Sequence, residues 1–202
     1  MAKRVVWRAG DLLSIKLRDN LFTIAQMLGS PVMRFFDIFN ATGVWKDIDL
    51  NTTPILFRVL VGRVINRHLI REKIKTQSVI PCSIPDESLW IDVYTIMDEG
   101  HYPEDKDCFA FMGGKIISTD PKAPFYTQAV VRHDLSLPED KEVIERLELT
   151  NMWGDDDLAD RLCRYHDTGI NRDDLKFEVF PGLWNDREKL RPLTRRLPVP
   201  LR

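Results

Sequence analysis

The residues best suited to metal binding or nucleophilic catalysis are scattered along the chain. They are four histidines and three cysteines: His68, His101, His133, His166, Cys82, Cys108 and Cys163. No two histidines have the i, i+4 spacing of a helix or the i, i+2 spacing of a strand that would place them on one face. The sequence also has no Gly-x-Ser-x-Gly nucleophile elbow and no complete phosphate-binding glycine loop. We therefore predict a protein with no catalytic residues, no metal and no cofactor, and not an enzyme.

The cysteines favour a reducing compartment. They are odd in number, and their spacing matches neither a disulfide framework nor a zinc knuckle. Cys82 could be a reactive thiol, although a small buried side chain is the favoured interpretation. The first ten residues contain no apolar run of signal-peptide length, and no later segment reaches about 18 apolar residues. The expected location is the cytoplasm, with no membrane partner.

Charge is distributed unevenly along the sequence. Residues 1–85 contain 13 Lys and Arg against 6 Asp and Glu, residues 86–178 contain 10 against 23, and residues 179–202 contain 6 against 2. An acidic section between two basic ones indicates either internal charge complementarity or an external basic partner. Solvated surfaces of mixed sign are the simpler interpretation.

Carboxylates are most concentrated near residue 156. Asp155, Asp156, Asp157 and Asp160 fall within one predicted helical turn and its cap, and Glu104 and Asp105 lie on a predicted loop. Such residues often do no more than stabilise a helix N-terminus. A row of carboxylates can also imitate a nucleic-acid backbone and steer the association of a basic protein. Trp153 and Tyr165 are then candidate interface anchors, since aromatic side chains tend to contribute much of the energy of an interface.

Aromatic residues in the basic N-terminal section raise the alternative of nucleic-acid binding. Trp7, Phe22, Phe35 and Phe36 lie there, and stacking on bases requires aromatics exposed beside cations. Phe35 and Phe36 are adjacent, so at most one of them can face solvent on a strand. Core positions explain these aromatics better, and we expect no nucleic-acid partner.

The elements that would position these residues begin with a β-meander at residues 9–39. Leu13, Ile15 and Leu17 alternate with polar residues, and so do Phe22 and Ile24, which predicts strands with one buried and one solvated face. Residues 55–64 form the strongest strand pattern, which we place centrally. Further strands are expected at 89–97, 115–118, 125–133 and 176–180, with helices starting near Ser136 and spanning 156–166.

These elements predict an α+β fold. The expected core is a mostly antiparallel, twisted β-sheet or a small barrel-like core, with one or two C-terminal helices. We predict one domain over residues 1–202. It would comprise a β-rich core at 1–133, a helical, acidic section at 134–180 and a basic, proline-rich tail at 181–202.

The opening stretch resembles a known family. Gly10-Asp11 followed by LLSIKL, a polar turn, LFTIAQML and an aromatic strand ending in Phe36-Asp37-Ile38 is similar to the N-terminal pattern of the immunity protein 26 family. The later strand ILFRVLVGRV stands where that family has its next hydrophobic strand. The resemblance covers residues 1–80, with a looser match to residue 130, and includes no catalytic motif.

That resemblance implies a bacterial, cytoplasmic immunity protein of polymorphic toxin and contact-dependent growth inhibition systems. It would bind a cognate toxin domain, such as a basic nuclease, and block its active site through protein–protein interaction. The family name is sometimes coupled to phosphotriesterase activity. The histidines of this sequence are few and unclustered, which departs from what a metal-dependent hydrolase requires. A metal-dependent phosphotriesterase-like hydrolase and a nucleic-acid-binding module therefore remain as alternatives.

Overall fold

The predicted opening meander is present. In the computed structural model, which describes residues 6–92, 114–119 and 128–185, three antiparallel strands follow one another. They are β1 (Leu12–Arg18), β2 (Leu21–Met27) and β3 (Val32–Asn40). A two-residue connection joins β1 to β2, and Asn20 adopts the positive φ of 59° that tight hairpin turns require.

Three further strands complete this sheet. They are β5 (Ile55–Val61), which pairs with β3, β6 (Ile70–Ile74), which pairs with β1, and the two-residue β11 (Met152–Trp153), which runs parallel to β5. The order is β11-β5-β3-β2-β1-β6, so β5 has a neighbour on each side, as its apolar sequence predicts. Residues 65–68 form a short helix, α1 (Ile65–His68), before β6. The described residues form an open sheet, so of the two predicted cores the antiparallel sheet is confirmed and the barrel is not.

Both faces of the sheet are covered by other parts of the chain. Helix α3 (Asp155–Thr168) packs Leu158 and Leu162 on the face that carries Phe35 and Phe57. The short strands β4 (Ile48–Asp49) and β7 (Val79–Ile80), which pair with each other, belong to segments that cover the opposite face. The residues buried there are Leu12, Phe22, Ile24, Phe36, Trp45, Leu50, Val79 and Cys82.

This double coverage corrects one prediction. Alternation in β1 and β2 predicted one solvated face, but every residue of β2 is buried. The polar residues of these strands find partners instead of water: the Ser14 hydroxyl donates to the Gly43 carbonyl oxygen at 3.1 Å and accepts from Trp45 Nε1 at 3.0 Å. A buried hydroxyl is tolerated only when it is paired in this way. Polar and apolar residues therefore alternate along these strands although both faces of the sheet are covered.

Helix α3 begins and ends close to the predicted bounds. Acidic residues occupy its first turn, where the helix dipole favours negative charge. Gly169 ends it with a positive φ of 73°, and its N–H donates to the Tyr165 carbonyl oxygen at 2.7 Å. This is the left-handed cap that a glycine provides at little cost.

The remaining elements form a second, smaller assembly. A three-stranded antiparallel sheet contains β8 (Leu89–Asp92), β9 (Lys115–Ser118) and β10 (Ala129–Arg132), and the helices are α2 (Lys141–Arg146) and α4 (Lys176–Val179). Their shared core includes Ile91, Ile116, Ile144, Leu147, Leu149, Val179 and Phe180. The predicted strand ends at 93–97 and 125–127 lie outside the described residues.

Two predictions in this part are wrong in detail. The helix expected near Ser136 starts at Lys141, because the Ser136 N–H donates to the Asp140 carboxylate at 2.9 Å and closes a turn first. Residues 176–179 are helical, although strand was predicted there. The Leu175 N–H donates to the Asp173 carboxylate at 3.0 Å, and the Lys176 N–H donates to the Asp173 carbonyl oxygen at the same distance, which starts a helical turn.

The chain divides into two compact units. The first contains Met1–Asp86 and Met152–Asn171, and the second contains Glu87–Asn151 and Arg172–Arg202. These bounds differ from the sections predicted at 1–133, 134–180 and 181–202, because α3 packs on the N-terminal sheet instead of forming a separate helical section. None of the described helices has the length and apolar character needed to cross a membrane.

Candidate functional site

The predicted acidic cluster lies at the start of α3. Gly154 precedes the helix in an extended conformation, and Asp155, Asp156 and Asp157 form the first turn. Asp156 is exposed, whereas Asp155, Asp157 and Asp160 are partly exposed. The structure therefore brings these four predicted residues together at one end of the first unit. Glu104 and Asp105, which were predicted to join them, lie outside the described residues.

The helix period extends the acidic surface along α3. At about 100° per residue, positions 156, 160, 163 and 167 fall on one side of the helix. Leu158 and Leu162 face the sheet and are fully buried. The opposite side, which we name the outer face of α3, contains Asp156, Asp160, Cys163 and Asp167. Asp167 was not among the predicted site residues, although helical periodicity from Asp156 would have indicated it.

At the N-terminal end of α3, Asp155 contacts a residue of the basic N-terminal section. Its Oδ2 lies against Nδ1 of His68, the last residue of α1. The hydrogen bond from His68 is the main cause that lowers the pKa of Asp155 below its ordinary value. Part of the acidic cluster thus has an internal partner, which is the first of the two explanations for the uneven charge.

At the C-terminal end, Asp167 forms a bidentate ion pair. Arg18 Nη1 and Nη2 donate to its two carboxylate oxygens at 2.7 and 2.6 Å, and His166 Nδ1 lies 2.8 Å from Oδ1. The hydrogen bonds from Arg18 and then His166 lower the pKa of Asp167 to about 2. Both partners remain more than two-fifths exposed, so the pair sits at the surface. Asp156 and Asp160 also interact with other groups of the chain.

Tyr165, the predicted anchor near the end of α3, is partly exposed. Its hydroxyl donates to Asp37 Oδ2 on β3 at 2.8 Å, and its ring centroid is 6.2 Å from that of Phe39. Burial, followed by the bond to Asp37, raises the pKa of the Tyr165 hydroxyl. Both the hydroxyl and the ring of Tyr165 thus have partners on β3.

Trp153 does not occupy the surface position that an interface anchor needs. It is 4% exposed on β11 and belongs to the core between the sheet and α3. The Arg161 guanidinium lies 5.2 Å from its ring centroid and 3.9 Å from that of Phe57. Proximity to the acidic residues in sequence suggested an anchor, but the parallel pairing of β11 with β5 directs this ring into the core.

A buried polar row is the feature that sequence reasoning missed. Gln26, Arg34 and Arg58 lie opposite one another in register on β2, β3 and β5. We name them the cross-strand row; all three are buried, with Arg34 only 2% exposed. An arginine in the middle of an apolar strand, as in VMRFF and LFRVL, was the signal that could have revealed it, because buried charges are rare unless paired.

The cross-strand row binds residues 82–86, which we name the strap. Gln26 Nε2 donates to the Cys82 carbonyl oxygen at 3.0 Å, and the Cys82 N–H donates to Gln26 Oε1 at 3.2 Å. Arg34 donates to the carbonyl oxygens of Ile84 at 2.9 Å and Pro85 at 3.3 Å, and to Cys82 Sγ at 3.3 Å. Its guanidinium also lies 3.5 Å from Asp86 Oδ1, while Arg58 Nη1 donates to Asp86 Oδ2 at 3.2 Å.

Several residues that the alternative functions would use are buried. Phe35 and Phe36 are fully buried, so neither is available for stacking on a base. Cys82 is buried, as its favoured interpretation predicts. Within residues 6–92, 114–119 and 128–185, no three His, Cys, Asp or Glu side chains are grouped so as to hold a metal ion. His101 and Cys108 lie outside those ranges.

Comparison with known proteins identifies a family without a described activity. The model of the family described as "Domain of unknown function (DUF8309)" matches residues 2–185, and the chain therefore belongs to this family. Neither the curated proteins nor the solved structures compared with it include a match.

Proposed function

We propose that this protein is a cytoplasmic immunity protein that binds a basic toxin domain and blocks its active site. The resemblance of residues 1–80 to the immunity protein 26 family supports a toxin domain as the partner. The proposed binding site is inferred from the outer face of α3, where Asp156 and Asp160 line one side of a helix whose other side packs in the core. Asp167 lies on the same face, but its carboxylate is bound by Arg18. Because the helix backbone is already ordered, it presents the carboxylates at a fixed spacing, and binding does not have to order the backbone.

The proposed interface is centred on Asp156 and Asp160, and Tyr165 is peripheral to it. Rows of carboxylates attract a cationic partner over a distance and raise its association rate. Tyr165 lies about 180° around the helix from Asp156, on the side that meets the sheet, so only the exposed edge of its ring can add apolar area to the contact. Trp153 has no part in the contact, because its ring is buried. Asp155 is peripheral, because His68 already binds its carboxylate.

Under this proposal we expect a neighbouring gene to encode the toxin domain, and co-expression with that domain tests the function. The proposal predicts that the chain restores growth of cells that express the toxin and that the two proteins elute together on size exclusion at a fixed ratio. Failure of both rescue and co-elution, with soluble folded partners, would refute the proposal. An active toxin that is neutralised without a complex would also refute it, since the proposed mechanism is stoichiometric blocking.

A variant pair locates the interface. Asp156→Lys with Asp160→Lys should slow association by about tenfold or more at low salt, because the charge that steers the partner is reversed. Asp19→Lys with Glu72→Lys is the matched control, since both are exposed carboxylates of the same unit and the change in net charge is the same. Equal slowing by the control would show that net charge matters and the outer face of α3 does not.

A further inference from the structure

The cross-strand row carries charge where a sheet would ordinarily carry apolar side chains. Arg34 and Arg58 are directly opposite each other on antiparallel strands, and their side chains are 3% and 10% exposed. Like charges in this arrangement repel each other, and removing them from water costs free energy. The carboxylate of Asp86 lies against both guanidiniums, at 3.5 and 3.2 Å, and offsets that repulsion.

Asp86 reaches this position through the strap and not through a strand. It is the last residue of the first unit, and its side chain is 31% exposed. Apart from the bond to Cys82 Sγ, the bonds from the row fall on backbone atoms of Cys82, Ile84 and Pro85, and the contact with Asp86 ends the series. The carboxylate is therefore the only charged group that the strap itself brings to the row, since its sequence is Cys-Ser-Ile-Pro-Asp.

We propose that Arg34 and Arg58 form a carboxylate-binding site, which Asp86 occupies from within the chain and which thereby keeps the strap seated on the sheet. Two adjacent guanidiniums place a donor near each oxygen of a carboxylate and attract its negative charge. The site would accept an untethered carboxylate of similar size once Asp86 is removed. This proposal does not depend on the toxin-binding function.

Cys82 supplies a direct measure of strap position. Its side chain is 6% exposed and its thiol accepts a hydrogen bond from Arg34, so a thiol reagent reaches it only when the strap lifts. Labelling would be followed in the full chain with Cys108 and Cys163 replaced by serine, under conditions in which the protein remains folded by far-UV circular dichroism. The rate then reports the fraction of time the strap is open.

The experiment compares the parent with Asp86→Ala. We expect the labelling rate of Cys82 to rise on the order of tenfold to a hundredfold, since one member of a largely buried ion pair is lost. Formate or acetate added to the variant should restore protection in a saturable manner, whereas the same concentration of chloride should not. Glu72→Ala, which removes an exposed carboxylate from β6, should leave the rate unchanged.

Either of two results would overturn the proposal. A labelling rate within about twofold of the parent in Asp86→Ala would show that the carboxylate does not hold the strap. A faster rate that formate and acetate fail to reverse would show that the arginines are not a carboxylate site. Should Asp86→Ala not fold, Asp86→Asn carries the labelling test without the formate and acetate rescue, because it removes the charge while its side chain still fills the site.

Discussion

Two charged regions of the first unit differ in how they use their charge. The outer face of α3 keeps its carboxylates at the surface, and its best-defined ion pair, Arg18 with Asp167, is exposed on both sides. The cross-strand row buries Arg34 and Arg58 and directs them at the strap. Exposed pairs contribute little to stability and remain open to a partner, whereas breaking a buried pair is costly. The charges on the outer face of α3 are therefore available for recognition, whereas those of the cross-strand row hold the strap on the sheet.

The largest expected effect is at the buried row. Arg34→Ala should lower the free energy of unfolding by about 3 kcal/mol, because it removes the bonds to Ile84 and Pro85 and leaves Asp86 with one fewer cation. Urea denaturation measures this value. Arg63→Ala, at an exposed position beyond β5, is the matched control and should change stability by less than about 0.5 kcal/mol. A loss as small as that of the control would show that the cross-strand row contributes no more to stability than an exposed charge does.

A second buried cation should have an intermediate effect. Arg161 lies 3.9 Å from the Phe57 ring centroid, and its Nε donates to Asn171 Oδ1 at 2.9 Å. Arg161→Ala should cost about 2 kcal/mol through loss of the cation–π contact and that hydrogen bond. The same denaturation experiment measures it. If Arg161→Met restored full stability, the methylene stem and not the charge would account for the effect.

The exposed pair should show a clear pKa change with a small stability change. Arg18→Gln should raise the pKa of Asp167 from about 2 towards its ordinary value, because the bidentate hydrogen bond is lost. The cost in stability should be below about 1 kcal/mol, since both groups are solvated. Carboxyl carbon shifts followed by NMR across pH measure the titration directly.

The sign of the pH dependence follows from that lowered pKa. The native pair stabilises the fold at every pH above the unfolded value of 3.8, and this contribution is lost as pH falls through about 2. In Arg18→Gln, the stability lost as pH falls from 3.8 through about 2 should be smaller than in the parent. An unchanged titration of Asp167 in the variant would contradict the assignment of Arg18 as the main cause.

Tyr165→Phe should have the smallest effect on stability. The hydroxyl donates to an exposed carboxylate, Asp37, so its removal should cost about 0.5 kcal/mol or less while the ring contact with Phe39 persists. If Tyr165 contributes only its ring to a partner, Tyr165→Phe should also preserve binding and Tyr165→Ser should weaken it. Equal binding by both variants would remove Tyr165 from the proposed interface.

Much of the fold follows from local pattern. Helix α3 was predictable from its acidic first turn, its leucine spacing and Gly169, and the meander was predictable from alternation between short turns. Exposure was less predictable, because whether Gln26 meets water or a strap depends on residue 82, which is distant in sequence. The helical turn at Lys176 likewise depends on Asp173 and overrides the alternating KFEVF pattern.

The candidate site was predictable only in part. Sequence placed Asp155, Asp156, Asp157 and Asp160 together because one helical turn contains them, and the structure confirms that grouping. It could not reveal that His68 binds Asp155 or that β11 buries Trp153, because both depend on how α3 and β11 meet the N-terminal sheet. The cross-strand row also depends on strand register, which pairs residues from three separated segments.

The association rate with the toxin domain, measured across ionic strength by stopped flow, tests the central claim most directly. For the parent, the rate should fall steeply as salt increases, since the exposed carboxylates of α3 steer the encounter. Asp156→Asn with Asp160→Asn should associate more slowly at low salt and show a shallower salt dependence, while the dissociation rate changes less. Parent-like rates and salt dependence in that variant would contradict the account of α3 as the binding surface.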